Sequence, residues 1–190
     1  MAEIYFVSGG CRSGKSSYSE DLALSFDGPR IYVATSPRID GDMNKRIERH
    51  QQDRAGKGWD TIEEELNLAE VIKANSGATI LVDCLTLWIN NLMWQAEQSG
   101  QEISEDQMIE TADELIRACE SISGRVIFVS NETGLGIMPI NRQARIFADL
   151  SGRCNQIIAK AAKQATFMVS GLPLNLKVSP YRHKSSSDGQ

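Results

Sequence analysis

The sequence predicts an α/β fold: one domain with a mainly parallel sheet and helices on both faces. Three observations carry this expectation. Short apolar runs alternate with segments of helical periodicity along nearly the whole chain, and such alternation implies parallel strands joined by helical crossovers. The run ATILVDCL, residues 78–85, is continuously apolar up to its acid, as suits a strand covered on both faces. The chain has 190 residues and a hydrophobic content of 41%, enough for one core with little room for a second. Residues 1–180 are therefore assigned to a single domain and residues 181–190 to a disordered tail.

The elements follow in order. EIYFVSGG, residues 3–10, is a buried strand ending in glycines, and KSSYSEDLALSF, residues 15–26, continues it with helical spacing. RIYVATS, residues 30–36, is a second strand. GDMNKRIERHQQDR, residues 41–54, has only Met43 and Ile47 on its apolar side, so it is placed on the surface. EEELNLAEVIKA, residues 63–74, is an amphipathic helix, and ATILVDCL is the clearest strand. TLWINNLMWQA is helical, with Leu87, Asn90, Asn91 and Trp94 at turn spacing, and residues 98–104 form a polar loop. Met108, Ala112, Leu115, Ile116 and Cys119 mark the stripe of a further helix. RVIFVSN, residues 125–131, is a buried strand, followed by the irregular NETGLGIMPIN. A long helix is expected from Arg142 to about Ala165, with Ile146, Leu150, Cys154, Ile157, Ile158 and Ala161 on one face. TFMVSG is a strand and LPLNLK a possible last one.

Composition narrows the function. The net charge is -5, with a pI near 5.1, which weighs against general nucleic-acid binding. Cys11, Cys84, Cys119 and Cys154 are isolated, so neither a zinc site nor a disulfide framework is expected. No signal peptide opens the chain and no apolar run approaches the ~20 residues of a membrane span, so a cytoplasmic protein is expected.

GGCRSGKS, residues 9–16, places Gly9, Gly14, Lys15 and Ser16 in the G-x-x-x-x-G-K-[ST] arrangement between a strand and a helix. Glycines let several backbone N–H groups face one phosphate, and the helix adds the positive end of its dipole. Lys15 would reach the β- and γ-phosphates and the Ser16 hydroxyl would ligate Mg²⁺. This makes the domain a P-loop nucleotide binder. Asp83 ends an apolar parallel strand, where an acid projects into the ligand crevice and holds Mg²⁺ through water or polarises the reacting group. A cap for the next helix at Thr86 or Leu87 is the plainer role for Asp83, and beside a phosphate loop the metal role is preferred.

The loop defines the ligand and leaves the reaction open. RIERHQQDR, residues 46–54, holds His50 with Arg46 and Arg54 four residues to either side, on its face if the segment is helical. Such an imidazole could attack an α-phosphate and displace pyrophosphate, with the arginines stabilising the phosphate charge. On the residues alone, a solvated basic surface with an idle histidine is the preferred reading. His183, in the tail, is incidental. NETGLGIMP follows a strand at its ligand-facing end and suits a substrate loop or an ordinary turn.

Several stretches together resemble a known family: GGCRSGKS, IYVATS, RIERHQQDR, VDCLTLW, SNETGLGIMP and SGRCNQIIAKAA, in this order. The resemblance is to the bifunctional adenosylcobinamide kinase / adenosylcobinamide-phosphate guanylyltransferase of cobalamin biosynthesis, over residues 3 to 177. It implies a RecA-like P-loop NTPase core and, commonly, a homotrimer. It implies phosphorylation of adenosylcobinamide with ATP or GTP. GMP then passes from GTP to that phosphate, giving adenosylcobinamide-GDP and pyrophosphate, through a guanylylated histidine matched by His50. Lys15 would be the second catalytic residue. Nucleotide contacts would come from Gly9, Gly10, Cys11, Arg12, Ser13, Gly14, Lys15 and Ser16, from Ala34, Thr35 and Ser36, from Gln51, Gln52, Asp53 and Arg54, and from Glu63 and Asp83. Ser16 and Asp83 would hold Mg²⁺. Arg49 stands where some members have a second histidine, and several carry Glu at the Asp83 position. The residues themselves leave two other classes open: a single-step P-loop kinase with an inert His50, and a RecA-like ATPase or binding module.

Overall fold

The structure is a computed structural model and describes residues 1–37 and 56–177. Among these, seven strands form one sheet: β1 (Glu3–Gly9), β2 (Arg30–Ala34), β3 (Trp59–Glu63), β4 (Thr79–Asp83), β5 (Arg125–Asn131), β6 (Gln164–Val169) and β7 (Leu172–Asn175). Their order across the sheet is β3-β2-β4-β5-β1-β6-β7. β1 to β6 pair in parallel, and only β7 turns back antiparallel on β6. The described helices are α1 (Lys15–Leu24), α2 (Leu68–Ala74), α3 (Leu85–Gln98), α4 (Glu105–Ser121) and α5 (Arg142–Ala161). The α/β class and the mainly parallel sheet are as expected.

Strand alternation sorts the side chains into two layers. Ile4, Phe6, Ile80, Val82, Val126 and Phe128 face the larger core with Leu68, Ile72, Trp88, Met108, Leu115, Leu150 and Ile158 from α2 to α5. Tyr5, Val7, Tyr32, Leu81, Ile127 and Val129 face the other side, where Ala23, Leu22 and Tyr18 of α1 cover them. Helices thus lie on both faces, α1 covering the second face together with Leu87 from the first turn of α3.

Local chemistry explains where the elements begin and end. The Ser104 hydroxyl accepts from the Gln107 N–H and the Gln107 side chain accepts from the Ser104 N–H, a capping box that starts α4. The Asn141 side chain accepts from the Ala144 N–H and starts α5. α5 stops at Ala161, short of the expected Ala165, because the Lys163 N–H donates to the Ile4 carbonyl and draws the chain into the sheet. Ala161 is exposed, whereas Leu150, Cys154 and Ile158 are buried as the stripe predicts. α2 begins only at Leu68, because the Glu64 carboxylate accepts from the Leu66 and Asn67 N–H groups and holds a turn there. β3 was not expected. It is an edge strand whose side chains are half-buried or exposed, so it has no continuous apolar run. In α3 the buried residues are Leu85, Thr86, Trp88, Ile89 and Asn91, while Trp94 is 62% exposed. No helix among the described residues is long and apolar enough to cross a membrane.

Candidate active site

The phosphate loop leaves β1 at Gly9 and enters α1 at Lys15. Two glycines are required by the backbone. A Cβ on Gly9 would stand 2.7 Å from both the Met168 carbonyl oxygen and the Ser13 Oγ, closer than real contacts allow. Gly14, the residue before α1, has φ 90°, in the left-handed region that side chains avoid. The Lys15 side chain is buried, and its Nζ donates to the Gly10 carbonyl at 3.0 Å. The ammonium therefore lies within its own loop. No acidic residue occupies the first turn of α1, so nothing there opposes an anion at the helix N-terminus. Ser16, half-buried, follows Lys15 in that turn.

One strand separates the loop from Asp83. β5 lies between β1 and β4, and the register aligns Asp83 with Val129 and Val129 with Val7. Asp83 thus ends its strand two residues below the level of Gly9. On the other side Asp83 pairs with Ala34, and Ala34 with Glu63. The carboxyl edge of the sheet therefore brings Gly9, Asp83, Ala34 and Glu63 to one side of the molecule, where parallel α/β sheets bind ligands.

Asp83 is held closely. The Tyr32 hydroxyl donates to Asp83 Oδ2 at 2.9 Å. The Thr35 hydroxyl accepts from the Cys84 N–H and donates to the Cys84 carbonyl, both at 2.8 Å. The Asn91 amide donates to the Thr35 carbonyl at 2.8 Å and to the Glu65 carbonyl at 3.2 Å. On the β5 side, Asn131 Nδ2 donates to Thr86 Oγ1 at 2.8 Å, and Asn155 Nδ2 donates to the Asn131 carbonyl at 3.3 Å. Burial pushes the Cys84 thiol up; the Asp83 carboxylate adds to the rise and the Lys15 ammonium opposes it.

Gly9, Gly10, Cys11, Arg12, Ser13, Gly14, Lys15 and Ser16 are together as the motif predicts, with Cys11 and Arg12 exposed. Ala34 and Ser36 are half-buried at the same carboxyl edge, with β4 and β5 between them and the loop, and Glu63 is exposed at the end of β3. Thr35 is fully buried, with its hydroxyl engaged by Cys84. Ser16 and Asp83 offer oxygen donors of the kind Mg²⁺ takes. His50, Gln51, Gln52, Asp53 and Arg54, with Arg46, Arg49 and His183, lie outside the described residues. Tyr32, Asn91, Asn131 and Asn155 were not singled out for the site: one sits in an apolar strand run and the others look like ordinary polar residues. Only Asn131, opening the glycine-rich loop, carried a signal. That loop starts beside the phosphate loop, where the Glu132 N–H donates to the Gly9 carbonyl at 3.1 Å. Its Leu135, Ile137, Met138 and Ile140 are exposed.

A strand, a tight glycine loop and a helix carrying a buried lysine, with an acid-tipped parallel strand two places away, define the chain as a P-loop nucleotide-binding protein. The fold agrees with that of a prototypical ATPase from the type III secretion system of pathogenic bacteria: TM-score 0.54 at 10% identity, covering 91% of this chain and 56% of that one. The chain belongs to the cobinamide kinase / cobinamide phosphate guanyltransferase family, whose model matches residues 5–176. It is 39% identical over 176 residues to the bifunctional adenosylcobalamin biosynthesis protein CobP of Pseudomonas aeruginosa, covering 92% of this chain and 97% of the relative. It is 37% identical to the corresponding CobU proteins of Escherichia coli K12 and Salmonella typhimurium LT2, with 90% of this chain and 98% of each relative covered.

Proposed function

We propose that the chain performs two successive transfers on a cobinamide-type corrinoid. In the first, a substrate hydroxyl attacks the γ-phosphorus of ATP or GTP and the nucleoside diphosphate leaves. In the second, a nitrogen of His50 attacks the α-phosphorus of GTP and pyrophosphate leaves. The phosphate made in the first step then attacks the guanylylated histidine, forming the diphosphate bond and restoring the imidazole. The observation that carries this reading is the family match across residues 5–176, on a chain whose phosphate loop and Asp83 meet at one sheet edge.

The residues have distinct work in this reading. The N–H groups of the loop and α1 bind phosphate oxygens, and Lys15 adds a charge where the transition state gathers negative charge. Ser16 and Asp83 would hold Mg²⁺, which would supply positive charge against the phosphates. Phosphoryl transfer needs positioning and charge but no covalent histidine. Guanylyl transfer needs a nucleophile, and His50 within its arginines supplies it. Residues 1–180 act as one domain in the cytoplasm. The homotrimer is what the family resemblance implies, and the exposed Leu135, Ile137, Met138 and Ile140 form an apolar group that self-association would cover.

The test uses GTP labelled at the α- or the γ-position, with Mg²⁺, followed by denaturing electrophoresis. The α-label is expected on the protein through an acid-labile, base-stable phosphoramidate, and the γ-label is not. H50A should lose the label and guanylyl transfer while keeping much of the kinase step. Label on another residue, or full guanylyl transfer by H50A, refutes the intermediate. No α-label on the wild type together with γ-phosphate transfer to substrate identifies a single-step kinase instead.

A further inference from the structure

Tyr32 stands where the sheet needs only an apolar side chain. It is 5% exposed, in the layer formed with Leu81 and Val129. Its ring meets Trp59 edge-on, with centroids 6.2 Å apart and planes at 86°. Phenylalanine would fill the same space without burying a hydroxyl, and a buried hydroxyl is costly unless it is bonded. The hydroxyl is bonded to Asp83 Oδ2 at 2.9 Å. The contact comes from the neighbouring strand, since β2 pairs with β4 and places Tyr32 opposite Leu81, two residues before Asp83. Thr35, from the same end of β2, bonds both the N–H and the carbonyl of Cys84. The strand-end acid is thus held by its side chain from one residue of β2 and through its neighbour from the segment just beyond β2.

We infer that Tyr32 is a positioning residue that acts through Asp83 and sets how strongly a divalent cation enhances nucleotide binding. The inference rests on the metal role proposed for Asp83. Mg²⁺ demands near-ideal octahedral geometry and tolerates poorly aimed ligands badly. Residues that orient a ligand by hydrogen bonding typically carry 10- to 100-fold of metal affinity or activity. With Oδ2 engaged by Tyr32, Oδ1 would be left for the cation or its water. A carboxylate free to rotate would meet the cation in many geometries. In this reading Tyr32 acts on the cation only through its hydrogen bond to Asp83.

The measurement is the dissociation constant of a non-hydrolysable GTP analogue with excess Mg²⁺ and again with EDTA. Their ratio is the coupling between cation and nucleotide. In Y32F the ratio is expected to fall about tenfold while the EDTA value stays unchanged. D83N should lower the ratio at least as far. Y32F/D83N should match D83N alone, because a residue that acts only through Asp83 has nothing further to remove. W59F removes edge packing without touching the hydroxyl, and it should leave the ratio at the wild-type value. If D83N lowers the ratio and Y32F does not, Tyr32 merely fills the core and the inference fails while the role of Asp83 stands. Additive losses in the double variant, or an equal loss in W59F, also overturn it. If D83N leaves the ratio unchanged, the metal role of Asp83 fails and takes the inference with it. The phosphate-loop reading would then be judged separately, by the effect of K15A on binding in EDTA.

Discussion

Thr35 offers a quantitative test of how the end of β4 is held. Its hydroxyl is fully buried and makes two hydrogen bonds to the same residue, accepting from the Cys84 N–H and donating to the Cys84 carbonyl. Thr35→Val keeps the shape and removes the oxygen. Both backbone groups lose this partner at a site shielded from water, since Cys84 is itself 7% exposed. Each buried polar group left unpaired costs about 1–3 kcal/mol, so the pair costs about 2–4 kcal/mol after partial relaxation. In a domain of this size one kcal/mol moves the melting temperature by about 2–4 °C, which predicts a fall of about 5–15 °C. The kinase step should also slow, because Asp83 precedes the loosened residue. Thermal unfolding followed by circular dichroism gives the first number and initial rates at saturating nucleotide give the second. Thr35→Ser keeps the hydroxyl and loses one methyl, worth about 0.8 kcal/mol, so it should recover most of the difference. A valine variant melting within about 1 °C of wild type would refute the reasoning. So would a serine variant that melts as low as the valine variant.

Other outcomes follow from the same geometry. K15A should lower phosphoryl transfer by at least about 100-fold, measured as product formed from γ-labelled nucleotide, because the lost charge acts chiefly on the transition state. Of the four cysteines only Cys11 is exposed, and burial pushes the Cys119 and Cys154 thiols up to about 12. A thiol reagent should therefore titrate one group rapidly in the native protein, and bound nucleotide should slow it; rapid reaction of two or more thiols contradicts the packing. Glu3 is held below the usual carboxylate value of 4.5 by its hydrogen bonds from Lys163 and Tyr5. A depressed carboxylate stabilises the fold fully above its unfolded pKa and loses that contribution as pH falls through the folded one. E3Q should thus be slightly less stable than wild type at neutral pH and converge with it in acid, as read from urea midpoints across pH. The pair is solvent-exposed and screened by salt, so the gap should be small.

Much of this molecule is legible in the amino-acid order, and what is legible is local. β1, β2, β4 and β5 announce themselves because strands covered on both faces must be apolar throughout. α4 and α5 show their stripes because each packs one face on the sheet. The phosphate loop is legible for the same reason: its chemistry lies within eight consecutive residues flanked by a strand and a helix. β3 was silent because an edge strand that is half-exposed needs no apolar run. The expected stripe of α3 put Trp94 on the buried face, where Trp88 and Ile89 lie instead, and its one buried member is Asn91. It is buried through bonds to the Thr35 and Glu65 carbonyls, 56 and 26 residues away.

The tertiary structure alone decided which segments meet. Residues 9 and 83 reach the same edge of the sheet two strands apart because β5, the fifth strand among the described residues, inserts between β1 and β4, an order no local pattern encodes. Tyr32 reads as one more core aromatic until β2 docks on β4 and sets its hydroxyl on Asp83. Periodicity reports how much of a segment is buried, since burial is felt residue by residue along the chain. It does not report against what the segment is buried, because that is settled by packing and hydrogen bonds between parts of the chain far apart in sequence.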